Sequence, residues 1–209
     1  MKKRAWISGH SRGIGSALYQ LLESQGWIVG GGSRSTGVDI TDLSSVEASI
    51  DEFARTHGGL DAVVHCAAML GPRAELSDVS TEEMRTVLDV NVLGTFHVIK
   101  AAGPRFTGAA QLLLLSSSVG RRGRAGWGPY SASKHALEGL ADTIAEEMPQ
   151  VRVLSLNPGG TATDMRAEAY PDEDPKTLPS AEEIAKVIFD LMNDASHKSG
   201  SKLDCRDFL

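Results

Sequence analysis

Short apolar runs alternate along the chain with longer stretches in which apolar residues recur every three or four positions. Arg4 to Ser8 predicts a first strand. Ile14, Ala17, Leu18, Leu21 and Leu22 then repeat at helical spacing, and Gly26 closes that helix. Trp27 to Gly31 predicts a second strand. Thr41 stands as the cap of a helix with Leu43, Val46, Ile50 and Phe53 on one face. Leu60 to Cys66 predicts a strand with a buried Val63–Val64 pair. One helix is expected from about Thr81 to Ala102, through Met84, Val87, Leu88, Val98 and Ile99. Gln111 to Ser116 is the next strand. Pro129 opens a helix with Ala136, Leu137, Leu140 and Ile144 in its stripe. Val151 to Leu156 is a strand, Ser180 caps a helix carrying Ile184, Val187, Ile188 and Leu191, and Ser201 to Cys205 is a last strand.

Repeated strand–helix–strand units predict an α/β fold, a doubly wound parallel sheet covered by helices on both faces. No linker or repeat interrupts the 209 residues, so a single domain over 1–209 is expected. Glu168 to Pro179 holds three prolines and four acidic residues without apolar periodicity and reads as a mobile loop.

Charge and composition narrow the function. The net charge is −6 and there is no long basic run, which argues against a nucleic-acid partner. The Met-Lys-Lys-Arg start resembles a signal n-region, but Ala5 to Ser8 leads straight into Gly9 and polar residues. No apolar window is long enough for a membrane span. Cys66 and Cys205 fall in expected strands and read as buried free thiols, and the six histidines form no ligand set. A cytoplasmic protein without a metal is the expectation.

Two local patterns carry chemistry. Ser8 to Gly15 reads S-G-H-S-R-G-I-G between the first strand and its helix, with Gly9, Gly13 and Gly15. Glycines there let the backbone approach a pyrophosphate, which meets free N–H groups at the helix start. Tyr130 and Lys134 stand four apart in Y-S-A-S-K, with Ser117 upstream. Positions i and i+4 share a helix face, so the ammonium is expected to pull the phenol's pKa down. A phenol so tuned exchanges a proton with a carbonyl or alcohol oxygen, which a hydroxyl such as Ser117 can hold.

From Ala5 to Asp204 these and three further motifs resemble the short-chain dehydrogenase/reductase family, whose fold is Rossmann-like. The glycine turn is the family's T-G-x-x-x-G-x-G with Ser8 for threonine. D-V-N-V-L-G-T supplies Asn91, S-S-S-V-G supplies Ser117, Y-x-x-x-K supplies Tyr130 and Lys134, and N-P-G-G-T-A-T matches the nicotinamide loop. The resemblance implies NADP(H)-dependent hydride transfer between nicotinamide and a carbonyl or alcohol, with Asn91, Ser117, Tyr130 and Lys134 as catalytic residues. It implies a cofactor site of Gly9, Ser11, Arg12, Gly13, Ile14, Gly15, Arg34, Asp39, Ile40, Ala67, Ala68, Tyr130, Lys134, Pro158, Gly159, Thr161 and Thr163. Arg12 and Arg34 stand where basic residues imply NADP rather than NAD, a 2′-phosphate suiting their forked hydrogen bonds. Asp39 is similar to the family's adenine-contacting aspartate, with Ile40 stacking nearby. Family analogy also implies a homodimer or homotetramer through helices near 87–102 and 129–148.

Two departures qualify the resemblance. The family's N-N-A-G reads His65-Cys66-Ala67-Ala68, without either asparagine. Arg34 is also only a few residues from Val38-Asp39, too few for a crossover helix, so a shortened or missing third strand is expected. Dihydropteridine reductases share such a deletion, which keeps a pterin or imine reductase open as an alternative beside a non-catalytic NADP-binding regulatory protein. The substrate pocket is expected from residues 69–73 and 119–129 and the loop after Thr163. Arg121, Arg122 and Arg124 read either as a solvated basic loop or as an attractor for an anionic substrate, and Trp127 as pocket wall or packing.

Overall fold

Neighbouring strand residues point to opposite faces of a sheet, and this chain fills both faces with apolar side chains. In the computed structural model, which describes residues 2–209, six strands form one parallel sheet. They are β1 (Arg4–Ser8), β2 (Ile28–Gly32), β3 (Leu60–His65), β4 (Phe106–Leu115), β5 (Val151–Asn157) and β6 (Ser201–Asp204), in the order β2-β1-β3-β4-β5-β6. Ile7, Val64, Leu113 and Leu154 face one layer, where α1 (Gly13–Ser24) and α7 (Ala181–Asn193) contribute Leu18, Leu22, Ile184 and Ile188. Trp6, Val63, Leu112 and Val153 face the other. There α2 (Leu43–His57), α4 (Gly94–Ala102) and α5 (Gly128–Glu147) contribute Val46, Ile50, Val98 and Leu137.

β2 is one edge of the sheet and β6 the other. After β2 comes a single 3-10 turn at Arg34–Thr36, a left-handed Gly37 (φ 79°) and then α2, so Val38 to Ile40 pairs with no strand. Ile40 turns inward instead: a Cβ on Gly94 would lie 2.8 Å from its Cδ1, which brings α4 tight against the connection. The side chain is buried, 8% exposed, and packs with the core of that face.

Several boundaries differ from expectation for identifiable reasons. Asp42, not Thr41, caps α2 by accepting from Ser44 N at 2.9 Å, because the Thr41 hydroxyl donates to Asp39 at 2.8 Å. The single helix expected over 81–102 is α3 (Thr81–Leu88) and α4 joined by a π turn at Asp89–Leu93, a feature that often marks functional sites. Both cysteines lie just past strands, Cys66 half-buried and Cys205 buried, and both thiols are free. Burial pushes each thiol pKa up to about 12. The stretch after Thr163 is not a bare loop. It forms a short helix α6 (Asp164–Ala169), and Arg166 grips Glu173 through two bonds, one of 2.7 Å. The guanidinium carbons of Arg73 and Arg166 sit 5.2 and 3.9 Å from the centre of the Tyr170 ring.

Candidate active site

Every strand of a parallel sheet ends on the same edge, and ligands bind there where the winding reverses. Here β1 lies between β2 and β3, so the reversal falls at β1, and the glycine turn follows it. Gly9 (φ 69°) has no room for a side chain, since a Cβ would lie 2.8 Å from Ala67 Cα. At Gly15 a Cβ would fall 2.4 Å from the Gly9 carbonyl oxygen. These close approaches hold turn, helix and β3 exit together. No side chain caps α1, which leaves its first N–H groups without a side-chain acceptor. Ser11, Arg12 and Arg34 are exposed around this turn, and Arg12 makes only a 3.8 Å surface ion pair with Asp164. Asp39 accepts from Thr41 N and Oγ1, bonds that, together with the Arg34 charge, hold its carboxyl below the usual range. The chain thus offers a small-residue cradle, free amides and two guanidiniums, a donor set that fits a phosphorylated dinucleotide.

The other expected residues gather on the same edge. Ser117, Tyr130, Pro158, Gly159, Thr161 and Thr163 share one cavity of about 120 Å³ with Ile14, and Ser116, Leu70, Trp127, Met165, Arg166 and Ala169 complete its wall. Met165 and Ala169, on α6, were not singled out from sequence, since nothing local distinguishes them. Tyr130 is buried, and its hydroxyl has the Met165 sulfur as its partner at 4.0 Å. Thr163 caps α6 and also donates to the Thr161 carbonyl.

Lys134 differs from expectation. Its Nζ donates to the Leu115 carbonyl at 2.7 Å and lies over the Tyr130 ring, 5.6 Å from its centre. Burial therefore dominates Tyr130 and raises its pKa instead of lowering it. Burial also brings Lys134 down to about 8. Asn91 sits in the π turn with its amide fully engaged. Oδ1 accepts from Met69 N at 2.8 Å, and Nδ2 donates to Met69 O at 2.9 Å and to Ser133 Oγ at 3.0 Å.

The arginine cluster resolves into separate roles. Arg121 is neither solvated nor free for a substrate. It donates to Glu138 at 3.2 Å and Asp204 at 3.0 Å, while Lys202 sits 2.8 Å from Asp142. Asp204 also accepts from the Asn157 amide, whose oxygen receives Gly159 N at 3.1 Å. One carboxylate thus joins the end of the serine loop to the start of the P-G loop. Arg124 donates to the Tyr170 hydroxyl, and Arg122 is exposed.

His65 occupies the first missing asparagine's place. It is buried with Nδ1 2.8 Å from Ser8 Oγ and Nε2 3.0 Å from Thr95 Oγ1. Burial, then the Lys134 charge, pushes its pKa down to about 3.

The short chain dehydrogenase family model matches residues 30–174. The chain belongs to the short-chain dehydrogenase/reductase family. Over 151 residues it is 42% identical to the uncharacterised oxidoreductase YciK of Escherichia coli K12, covering 70% of this chain and 60% of that one. It is 31% identical to the Haemophilus influenzae bifunctional ribulose 5-phosphate reductase/CDP-ribitol pyrophosphorylase, over 95% of this chain and 42% of that one. It thus spans less than two thirds of either relative. An NADPH-dependent pterin aldehyde reductase of Arabidopsis thaliana is 30% identical over 78% of this chain and 77% of its own. A short chain dehydrogenase of Shigella flexneri crystallised with NADP superposes with a TM-score of 0.89 at 32% identity, covering 98% of this chain and 97% of that one. An Escherichia coli homologue crystallised with NADPH gives the same TM-score and identity over 98% and 96% of the two chains. Among the described residues no helix is long and apolar enough to cross a membrane.

The His65 shift has a measurable consequence. Unfolded, the imidazole titrates near 6.5; folded, it stays neutral down to about 3. Between these values the unfolded chain binds the extra proton, so stability is intact above the unfolded value and is lost as pH falls toward the folded one. His65→Asn removes that proton from the balance. Its stability in urea should fall less steeply with acid than the wild type's, by about 1.4 kcal/mol per pH unit below about pH 6. Identical slopes for the two proteins would show that His65 is not held neutral.

Proposed function

We propose that the protein is an NADP(H)-dependent oxidoreductase acting on a carbonyl/alcohol pair. The observation that carries this reading is the convergence of Ser117 and Tyr130 on one cavity with the P-G loop and Ile14 of the glycine turn. Bound at that turn, NADPH supplies the hydride. The chain's own residues do the rest. Gly9, Gly13 and Gly15 let the turn approach the pyrophosphate, and Ser11 and the first amides of α1 bond it. Arg12 and Arg34 take the 2′-phosphate, and Asp39 with the Ile40 backbone borders the adenine. Ala67 and Ala68 line the cleft by backbone, while Pro158, Gly159, Thr161 and Thr163 orient the nicotinamide end.

Ser117 fixes the carbonyl oxygen, and Tyr130 donates the proton to it. A phenol kept protonated by burial suits the reductive direction. Lys134, charged below about 8, lies over the ring, where it favours the phenolate left after donation. Asn91 braces this arrangement through Met69 and Ser133. Leu70, Trp127, Met165 and Ala169 give the cavity an apolar wall, and Arg73, Arg124 and Arg166 are held by Ala169, Tyr170 and Glu173. That wall favours a compact apolar or aromatic aldehyde or ketone over an anion. The Arabidopsis relative's name places a pterin aldehyde in the same chemical class and makes it a rational member of a test panel. Leu93 and Phe96, 48% and 43% exposed on the π turn and α4, support a homodimer or homotetramer across that face.

Oxidation of NADPH with a panel of aldehydes and ketones tests the reaction. Tyr130→Phe should lower kcat by roughly 10²–10⁴-fold; an unchanged rate would remove Tyr130 from the proton step. The Arg12→Ala/Arg34→Ala double variant should weaken NADPH binding by roughly 10–100-fold while NADH changes by less than about twofold. Equal losses for both cofactors in calorimetry would overturn the 2′-phosphate assignment. Phe96→Glu should lower the mass in light scattering, to one chain from a dimer or to a dimer from a tetramer, and an unchanged oligomer would place the interface elsewhere.

A further inference from the structure

A chain of buried hydrogen bonds runs from the glycine turn to the backbone of Tyr130, and its donors and acceptors can be assigned one by one. Thr95 Oγ1 lies 2.6 Å from the Asn91 carbonyl. A carbonyl only accepts, so the threonine hydrogen is committed there. At its 3.0 Å contact with His65 Nε2, Thr95 must therefore accept, and Nε2 carries the imidazole hydrogen. The neutral ring then presents a lone pair at Nδ1, and Ser8 donates to it at 2.8 Å. Ser8 in turn accepts N–H groups from Cys66 at 3.1 Å and Ala67 at 3.2 Å. Beyond Asn91 the sequence continues in the same sense. Asn91 Nδ2 donates to Ser133 Oγ, which donates to the Tyr130 carbonyl at 2.8 Å. Ser8, His65, Thr95, Asn91 and Ser133 are all almost fully buried.

We propose that His65 is a positioning residue that holds the glycine turn in register with the Tyr130 helix, and that it does so only as the neutral tautomer protonated at Nε2. The other tautomer would leave Thr95 facing a lone pair and draw its hydrogen away from Asn91. A charged ring would set a second cation near Lys134. The two arms serve different tasks. The Ser8 arm fixes the turn that meets the pyrophosphate, and the Thr95 arm fixes the π turn and, through Ser133, the start of the catalytic helix. The catalytic half of the inference rests on the reading under Proposed function; the tautomer does not.

Nitrogen-15 NMR of the histidine-labelled full chain reads the tautomer directly. The His65 ring should be neutral with hydrogen on Nε2 from about pH 5 to about pH 8. A hydrogen on Nδ1, or titration in that range, would overturn the proposal. Thr95→Val keeps the shape and removes only the catalytic arm. It should lower kcat by about tenfold, the size of one buried hydrogen bond, while the dissociation constant for NADPH stays within about twofold. A folded Thr95→Val protein with wild-type kcat would also overturn it, as would equal losses in kcat and cofactor affinity. If the variant does not fold, the tautomer of the wild type decides. If the wild-type protein reduces no carbonyl, the proposed reaction fails while the tautomer and the NADPH titration still judge His65.

Discussion

A parallel sheet delivers the carboxyl end of every strand to one edge, and everything in this site depends on that constraint. The glycine turn leaves β1, Arg34 leaves β2, Ala67 and Ala68 leave β3, Ser117 leaves β4 and the P-G loop leaves β5. No two of these segments are adjacent in sequence. They meet because apolar residues on both faces of each strand bury the sheet between two helical layers. That burial supplies most of the stability and leaves the strand ends as the one place where backbone groups of five segments converge.

Within that frame, burial governs the ionisable groups more strongly than charge pairing. The spacing of Tyr130 and Lys134 brings ring and ammonium together, yet Nζ finds the Leu115 carbonyl and the phenol keeps its proton. Lys134 and His65 respond to the same low-polarity interior in the same direction, each held toward its neutral form. Arg121 shows the contrary case. A charge partly withdrawn from water is tolerable there because Glu138 and Asp204 stand within 3.2 Å.

Strand and helix content was legible because it rests on local periodicity: β1, α1, β3 and α7 begin and end within a residue or two of the apolar pattern. The glycine turn and the spacing of Tyr130 and Lys134 were legible for the same reason. What escaped depends on distant partners. The π turn is held by Asn91 bonding Met69, a loop residue from another part of the chain. The cap shifted from Thr41 to Asp42 because Asp39 claimed the threonine hydroxyl. Arg121 looked like loop charge because its acceptor Asp204 lies 83 residues away. His65 registered only as a missing asparagine, since the meaning of an imidazole there lies in Ser8 and Thr95, which come from two other elements.

The carboxylate of Asp204 gives the final strand a role beyond completing the sheet. Because it holds Arg121 on one side and Asn157 on the other, the serine loop and the P-G loop are tied to each other through the edge strand as well as through the pairing of β4 with β5. The cleft is thereby braced from the sheet edge, and a disturbance of β6 reaches two loops that leave different strands.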